Sequence, residues 1–404
     1  MKAIVFHAVG DIRLEDVSDP KLQDPTDAIV RLTASAICGT DLHFVRGTVP
    51  GLVPGTILGH EGVGVVEEVG PDVRNFTPGD RVVLCSTIAC GACSYCRAGY
   101  PSQCDRANPN GAQAGTSFFG GPKETGPYQG LQAERARIPF ANVGMVRLPD
   151  EVSDEQAILL SDIAPTGFFG ADIAEIHPGE TVAVFGCGPV GQFAIVSARL
   201  LGAGRILAVD TVPSRLDMAR AQGAETIDFN AEHPVEALRR LTGGIGVDRA
   251  IDAVGVDAYQ SASGPAAPSR DERRTFQQEV QKIEAQGGSL SRDWHPGDAP
   301  SQAMTWAVQA LAKAGTLSII GVYPPTFASF PIGIAMNRNL TIKAGNCPHR
   351  RYVPRLVDWT RNGTIDPLRI LTQRQPLTSA LEAYKTFAEH CPGWIKIELD
   401  PSKA

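Results

Sequence analysis

Four cysteines fall within fifteen residues, Cys90, Cys93, Cys96 and Cys104, separated by two, two and seven positions. Disulfides at so short a spacing are strained, and a reducing cytosol does not keep them. Four thiolates around one tetrahedral metal ion satisfy the spacing, which makes a closed structural zinc site the expected chemistry. The stretch that holds them, GACSYCRAGYPSQCDRANPNGAQAGTSFFGGPKETGPYQG, is rich in Gly and Pro and poor in periodicity. A bound zinc would contribute on the order of 10 kcal/mol to ordering it. A second set is more dispersed. Cys38 and His60 offer one thiolate and one imidazole, ligands that zinc takes in catalytic sites where a third protein group leaves a position open. Two residues qualify as that third group, Glu61 beside His60 and Asp162 far along the chain. A third set reads Gly186-Cys187-Gly188-Pro189-Val190-Gly191, with Asp210 about twenty residues beyond. Such glycines allow a tight turn and a close backbone approach to a pyrophosphate, and the acidic residue suits the ribose hydroxyls of a dinucleotide.

These residues need elements to position them. Around the glycines, TVAVFGCGPVGQFAIVSARLLGAGRILAVD reads as strand, turn, helix and second strand, ending on Asp210. No charge lies between Glu180 and Arg199, but Gly-x-Gly-Pro would interrupt a membrane span, whereas the strand-turn-helix reading uses each of those residues. Beyond it strands alternate with helices through TIDF, DRAIDAV and LSIIGVY, the pattern of a doubly wound parallel sheet. Residues 1–90 read instead as short strands with Gly, Pro and Asp turns, a small antiparallel barrel. In AIVRLTASAICGTDLH the alternation predicts a half-buried strand that ends on Cys38, and His60 precedes the strand VGVVEEV. DEVSDEQAILLSDIAPTGFFGADIAEI predicts two helices, Ser153 capping the first and Pro165 marking the break. Residues 258–300 interrupt the alternation with a charged helix candidate, DERRTFQQEVQKIEA, and are expected to form a solvated excursion; a lid or subunit contact is the alternative. His349, Arg350 and Arg351 are expected to be an exposed basic cluster. The closing strand, WIKIEL, is expected to return to the first domain.

In order and spacing, Cys38-Gly39-Thr40-Asp41, Gly59-His60-Glu61, the four-cysteine lobe and the Gly186–Gly191 turn together resemble the medium-chain zinc-dependent alcohol dehydrogenases over essentially the whole chain. CGTDLHFVRG and LSDIAPTGFFGA resemble more narrowly the glutathione-independent formaldehyde dehydrogenase branch. The resemblance implies a GroES-like β-barrel catalytic domain over 1–160 and 336–404, with a zinc lobe at 88–106, and a Rossmann domain over 161–335. It implies two Zn2+ per chain, with Asp162 as third ligand beside Cys38 and His60 and with Glu61 close to the metal. It also implies that Thr40 hydrogen-bonds the alcohol oxygen and relays its proton, and that His43 passes that proton toward solvent through the nicotinamide ribose hydroxyl. Asp41 is placed to orient His60 through its second ring nitrogen. The dinucleotide would rest on Gly186, Gly188, Pro189, Val190 and Gly191, with Arg215 stacking near the adenine. Asp210 would repel the extra phosphate of NADP and no Arg-rich cluster follows it, so NAD is the expected cofactor.

The 404-residue chain is 43% hydrophobic, carries a formal charge of −7 and has a mean hydropathy of −0.07. That composition fits a globular protein and argues against nucleic acid or an anionic membrane as partner. MKAIVFHAVGDIRLEDV reads as two strands about a Gly turn rather than a secretory leader, which points to the cytoplasm. The expected reaction moves a hydride between NAD and a small alcohol or aldehyde hydrate. Formaldehyde oxidation or dismutation with a retained NAD is the close rival, and a non-catalytic zinc and nucleotide binder the more distant one. A homodimer or homotetramer is expected, with LSIIGVY as the edge that pairs.

Overall fold

The computed structural model describes residues 1–111, 113–287, 294 and 296–403. Its longest strand, Ala28–Ile37, is buried at Ala28–Val30, turns Arg31 to solvent, and is wholly buried again from Ala34 toward Cys38. It pairs antiparallel with Gly62–Val69, with Arg135–Ile138 and with Ile397–Asp400, and slips register against Gly62–Val69 at two places. Each slip adds local twist and bends the strand, which curls the sheet into the wall of a barrel. Gln373–Pro376, Arg81–Leu84 and Met145–Arg147 complete this seven-stranded sheet, and Lys2–Ala8, Asp11–Asp16 and Thr56–Ile57 form a smaller one. The closing strand thus returns to the first sheet, as its sequence position suggested.

The second sheet has six parallel strands, in the order Glu225–Asp228, Arg205–Asp210, Thr181–Phe185, Val247–Asp252, Leu311–Ile319, Thr341–Ala344. Its inner strands are almost continuously buried, because helices cover both faces. Two expectations change here. The sheet runs past residue 335 to Ala344, so the return to the first sheet comes later than a boundary at 336. Leu311–Ile319 is bonded on both sides, and the exposed edge is Thr341–Ala344.

The helices Asp154–Ser161 and Ile163–Ile173 join the two sheets. Ser153 caps the first, accepting from Gln156 N–H at 3.3 Å while the Gln156 side chain accepts from Ser153 N–H at 3.0 Å. The break falls at Asp162 (φ −138, ψ −61) and not at Pro165. Pro165 lies in the first turn of the second helix, where a missing N–H costs nothing.

The insert's helix is solvated over most of its described positions, as expected, but it buries one face. Helix Arg270–Gly287 buries Phe276 and Ile283, and buried Glu279 accepts from Ser301 N–H at 3.2 Å. Trp294 packs in a cluster with Ile4 and Phe6 of the three-stranded sheet, Leu42 and Val45 of the helix Gly39–Arg46, and Tyr384 and Phe387 of the helix Ala380–Ala388. Burying an indole of roughly 200 Å² contributes on the order of 5 kcal/mol before ordering costs. Residues 288–293 and 295 of this insert lie outside the described residues.

Candidate active site

Three elements converge on one point. Cys38 sits between the strand Ala28–Ile37 and the helix Gly39–Arg46, His60 lies just before the strand Gly62–Val69, and Asp162 occupies the break between two helices. The helix break matters because a regular helix would carry Asp162 past the site. Ser161, its neighbour, donates to Leu84 carbonyl at 2.6 Å and accepts from Gly62 N–H at 3.0 Å, which pins the break to both strands.

One donor atom from each of Cys38, His60 and Asp162 lies within 4.8 Å of the others. Asp162 Oδ2 stands 3.6 Å from Cys38 Sγ and 3.4 Å from His60 Nε2. A tetrahedral zinc, with bonds of about 2.3 Å to sulfur and about 2.0 Å to nitrogen and oxygen, requires edges of about 3.5 and 3.3 Å. The three side chains therefore already have the spacing of a zinc face, and all are buried. Glu61, the other candidate for third ligand, is not within that set.

The supporting contacts are equally specific. Asp41 Oδ2 accepts from Cys38 N–H at 2.9 Å and from the Gln132 amide at 3.3 Å, and the Tyr384 hydroxyl donates to Gln132 Oε1 at 2.9 Å. Asp41 Oδ1 lies 3.2 Å from His60 Nδ1, a contact short of hydrogen-bond geometry, so both atoms remain buried without a formal partner. Asp41 thus stands beside the second ring nitrogen of His60 without a hydrogen bond to it.

His349 departs from expectation. It is buried, not part of an exposed basic cluster, and its Nε2 meets Asp162 Oδ1 at 2.8 Å. A carboxylate only accepts, so Nε2 carries a hydrogen, while Nδ1 meets Thr87 Oγ1 at 3.0 Å. Thr166 also donates to Asp162 Oδ1 at 3.2 Å. Both contacts engage the oxygen that faces away from Cys38 and His60, leaving Oδ2 for a metal.

Glu61 Oε2 accepts from Lys396, and both side chains are wholly buried. Lys396 donates in addition to Ile37 carbonyl at 3.0 Å. The other carboxylate oxygen, Oε1, has no partner among the described residues. Sequence reasoning missed Lys396, although a lysine inside the apolar run WIKIEL was a usable signal.

Burial pushes the Cys38 thiol up, with His60 pulling the other way. Burial opposes charge on His60, but Asp41 and Asp162 outweigh it and hold the imidazole well above its ordinary value. Burial likewise opposes charge on Asp162, and the hydrogen bonds from His349 and His60 override it, holding the carboxyl well below its usual range. Against burial, Glu61 keeps Lys396 above its ordinary value. A thiol pushed up beside a charged imidazole and carboxylate is the donor set that a divalent cation would deprotonate and neutralise.

The site opens on a cleft of about 520 Å³ that runs between the two sheets to the glycine turn. Cys38, Thr40, His43, His60 and Asp162 line one end, and Gly186, Gly188, Pro189, Val190, Asp210 and Arg215 the other. At Gly191 a Cβ would fall 1.8 Å from Gly186 carbonyl oxygen, and Gly186 itself has φ +87, so neither tolerates a side chain. Gly188 caps the helix Pro189–Leu200, and nothing lies within 4 Å of where its Cβ would stand. That open space over a helix N-terminus is a cradle for a phosphate group. Asp210 is held by Cys187 N–H at 2.7 Å and by Thr211 and Val212 N–H at 2.7 and 2.9 Å, with Arg215 4.0 Å away. Thr40 Oγ1 lies 3.9 Å from Cys38 Sγ. His43 is on the helix Gly39–Arg46 and buried, rather than on a solvated loop.

Some 400 residues of fold also hold the four-cysteine lobe, whose sulfur atoms lie within 4.8 Å of one another. Cys93 Sγ and Cys104 Sγ are 3.9 Å apart, against about 3.8 Å for the edge of a zinc-thiolate tetrahedron. Backbone N–H groups of Cys90, Cys93, Cys96 and Ala107 point at these sulfurs from 3.2 to 3.5 Å. Although burial pushes the other way, the Cys96 N–H and its neighbours bring the Cys93 thiol down to about 6.

Comparison with known proteins agrees with this geometry. Residues 24–150 match the family model of the alcohol dehydrogenase GroES-like domain, and residues 189–268 that of the zinc-binding dehydrogenases. Over 410 aligned residues, 99% of this chain and 100% of the relative, the sequence is 37% identical to a zinc-type alcohol dehydrogenase-like protein of Bacillus subtilis. The chain belongs to the zinc-type alcohol dehydrogenase family. Within that family it is 36% identical to a glutathione-independent formaldehyde dehydrogenase of Pseudomonas aeruginosa over 79% of this chain and 80% of the relative. The structure of an alcohol dehydrogenase from Thermus superposes with a TM-score of 0.79 at 33% identity, covering 99% of each chain. As a zinc-type dehydrogenase this chain is an oxidoreductase with the medium-chain fold, a barrel domain and a Rossmann sheet. No described helix is long and apolar enough to cross a membrane.

Proposed function

We propose that this protein is a zinc- and NAD-dependent dehydrogenase of small alcohols or aldehyde hydrates. The observation that carries the reading is the preformed face of Cys38, His60 and Asp162 in the same cleft as the Gly186–Gly191 turn. A zinc ion held by those three residues would act as a Lewis acid on the substrate oxygen. The chain's own groups do the rest. Asp41 and His349 orient His60 and Asp162, Thr40 receives the hydroxyl proton, and His43 carries it onward. Glu61, with Oε1 unpartnered among the described residues and Oε2 anchored by Lys396, is poised beside the site as an occasional ligand. Cys90, Cys93, Cys96 and Cys104 hold a second, structural zinc. Gly188 and its neighbours seat the pyrophosphate, and Asp210, followed by Thr211 and Val212 instead of arginines, favours NAD over NADP.

A second reading has its own support. The likeness to a formaldehyde dehydrogenase favours aldehyde hydrate as hydride donor, with NAD held through turnover. Association through the exposed strand Thr341–Ala344 would give a dimer. Initial rates at the NADH absorbance band, with ethanol, benzyl alcohol and formaldehyde in the absence of glutathione and with NAD against NADP, test the reading. Turnover with formaldehyde alone selects the second reading. The absence of any turnover in protein carrying two zinc ions per chain overturns both.

A further inference from the structure

Asp257 ends the short turn Gly255–Asp257 that follows the sheet strand Val247–Asp252, on the Rossmann side of the cleft. Its Oδ2 lies 2.9 Å from His43 Nδ1 and 3.1 Å from Arg46 Nη1, both on the helix that begins at Cys38 in the other domain. Side-chain exposures are 9% for Asp257, 7% for His43 and 4% for Arg46. Asp257 Oδ1 accepts from Gly297 N–H at 3.2 Å, so the end of the insert holds the carboxylate from behind. Arg46 donates onward to Ala388 carbonyl at 3.1 Å, and Tyr259 packs edge-on against His390, ring centroids 5.3 Å apart. Burial pushes His390 down to about 3, with Arg215 and Arg46 adding to the effect, so it brings no positive charge. Burial works against charge on Asp257, yet His43 and Arg46 hold its carboxyl well below the usual range.

Resting on the function proposed above, we infer that Asp257 is a positioning residue for His43, so that the proton relay is assembled only where the two domains meet. Asp257 Oδ2 stands 2.9 Å from Nδ1 off the hydrogen-bond direction, a charge contact that holds the ring from the Rossmann side. Thr48 Oγ1, 3.2 Å from the same nitrogen, donates its own hydrogen to His43 carbonyl and is therefore the acceptor that puts a hydrogen on Nδ1. Nε2 is left bare, with no partner among the described residues, on a ring that lines the cleft. The proton that leaves the substrate hydroxyl through Thr40 then binds Nε2, the imidazole becomes an imidazolium beside the Asp257 carboxylate, and the proton departs to solvent. His43 ends the cycle neutral. Since Asp257 comes from the Rossmann side, a separated pair of domains keeps the tautomer that Thr48 sets but lacks the carboxylate that holds the ring and faces its charge.

The test is a double-mutant cycle on the zinc-loaded protein. Asp257→Asn should lower kcat about tenfold, a fraction of what a positioned acid-base group contributes, with KM and zinc content unchanged. His43→Gln should lower kcat at least as far. The double variant should be no slower than His43→Gln, because both substitutions disable one relay. Asp257→Glu, which keeps the charge, should fall between wild type and Asp257→Asn, and it serves if the Asn variant does not fold. Wild-type kcat in Asp257→Asn, or losses that multiply in the double variant, overturn the inference while the functional reading stands. A wild-type protein without NAD-linked turnover overturns that reading and the inference with it.

Discussion

Replacing Lys396 by Met tests the buried ion pair behind the site. Both partners are wholly inaccessible, and the ammonium also satisfies Ile37 carbonyl. At a separation of about 3 Å and an effective dielectric near 20, two unit charges attract by about 5 kcal/mol. Much of this is offset by desolvation, so the pair contributes little beyond an apolar pair of equal shape. Breaking it is another matter. Lys396→Met leaves Glu61 ionised in a buried site close to Asp162, or forces it to take up a proton, and should cost about 3–5 kcal/mol. Removing both charges, as Lys396→Met with Glu61→Gln, leaves only Ile37 carbonyl and the amide to be satisfied and should cost about 1–2 kcal/mol. The two substitutions should therefore couple by at least about 2 kcal/mol. Urea unfolding of the zinc-loaded protein at 25 °C, followed by tryptophan fluorescence, measures all corners of the cycle. Zinc content distinguishes a local loss from a global one. A loss below about 1 kcal/mol in Lys396→Met, or a double variant less stable than the single, would refute the reasoning.

Three further outcomes follow from the same geometry. Cys104→Ser should lower bound zinc from two ions per chain to one by elemental analysis and destabilise the protein by at least about 3 kcal/mol, because the lobe has little apolar packing of its own. His349→Ala should weaken zinc at the Cys38, His60 and Asp162 site by about 10- to 100-fold in a chelator competition, without touching the four-cysteine lobe. Glu398, pushed up to about 7 by burial, with Glu155 and Asp400 adding to it and Arg374 opposing, binds a proton more tightly folded than unfolded. Its stabilising neutral form is therefore fully present below pH about 4.5 and lost as pH rises through about 7. Glu398→Gln should match wild type at pH 4 and exceed it by about 1–2 kcal/mol at pH 8, a figure already reduced for solvent screening. Equal stability of the two proteins at pH 8 by urea unfolding would exclude a raised carboxyl there.

How much of this was legible without coordinates depended on how local each signal was. The Cys90–Cys104 spacing, the glycine turn with Asp210, and the strand that delivers Cys38 are written within short stretches, where chain geometry alone dictates what the residues can do. The capping pair Ser153 and Gln156 was equally local, and the helix it starts was readable. The break at Asp162 was displaced to Pro165 because proline is a strong mark on paper, yet the first turn of a helix accepts it without loss.

What the tertiary structure decided was every partnership between distant residues. His349 resembled a surface cation next to two arginines until folding brought it 2.8 Å from Asp162, 187 positions away. Lys396 meets Glu61 across 335 positions, Trp294 of the insert joins an apolar cluster with Ile4, Leu42 and Tyr384, and Asp257 reaches His43 from the opposite domain. No periodicity or spacing encodes such contacts, because a buried charge is tolerable only beside its partner, and which partner is near is settled by packing alone. The sequence by itself determined which atoms can bind zinc and a dinucleotide; the fold determined which oxygen, which ring nitrogen and which domain presents them.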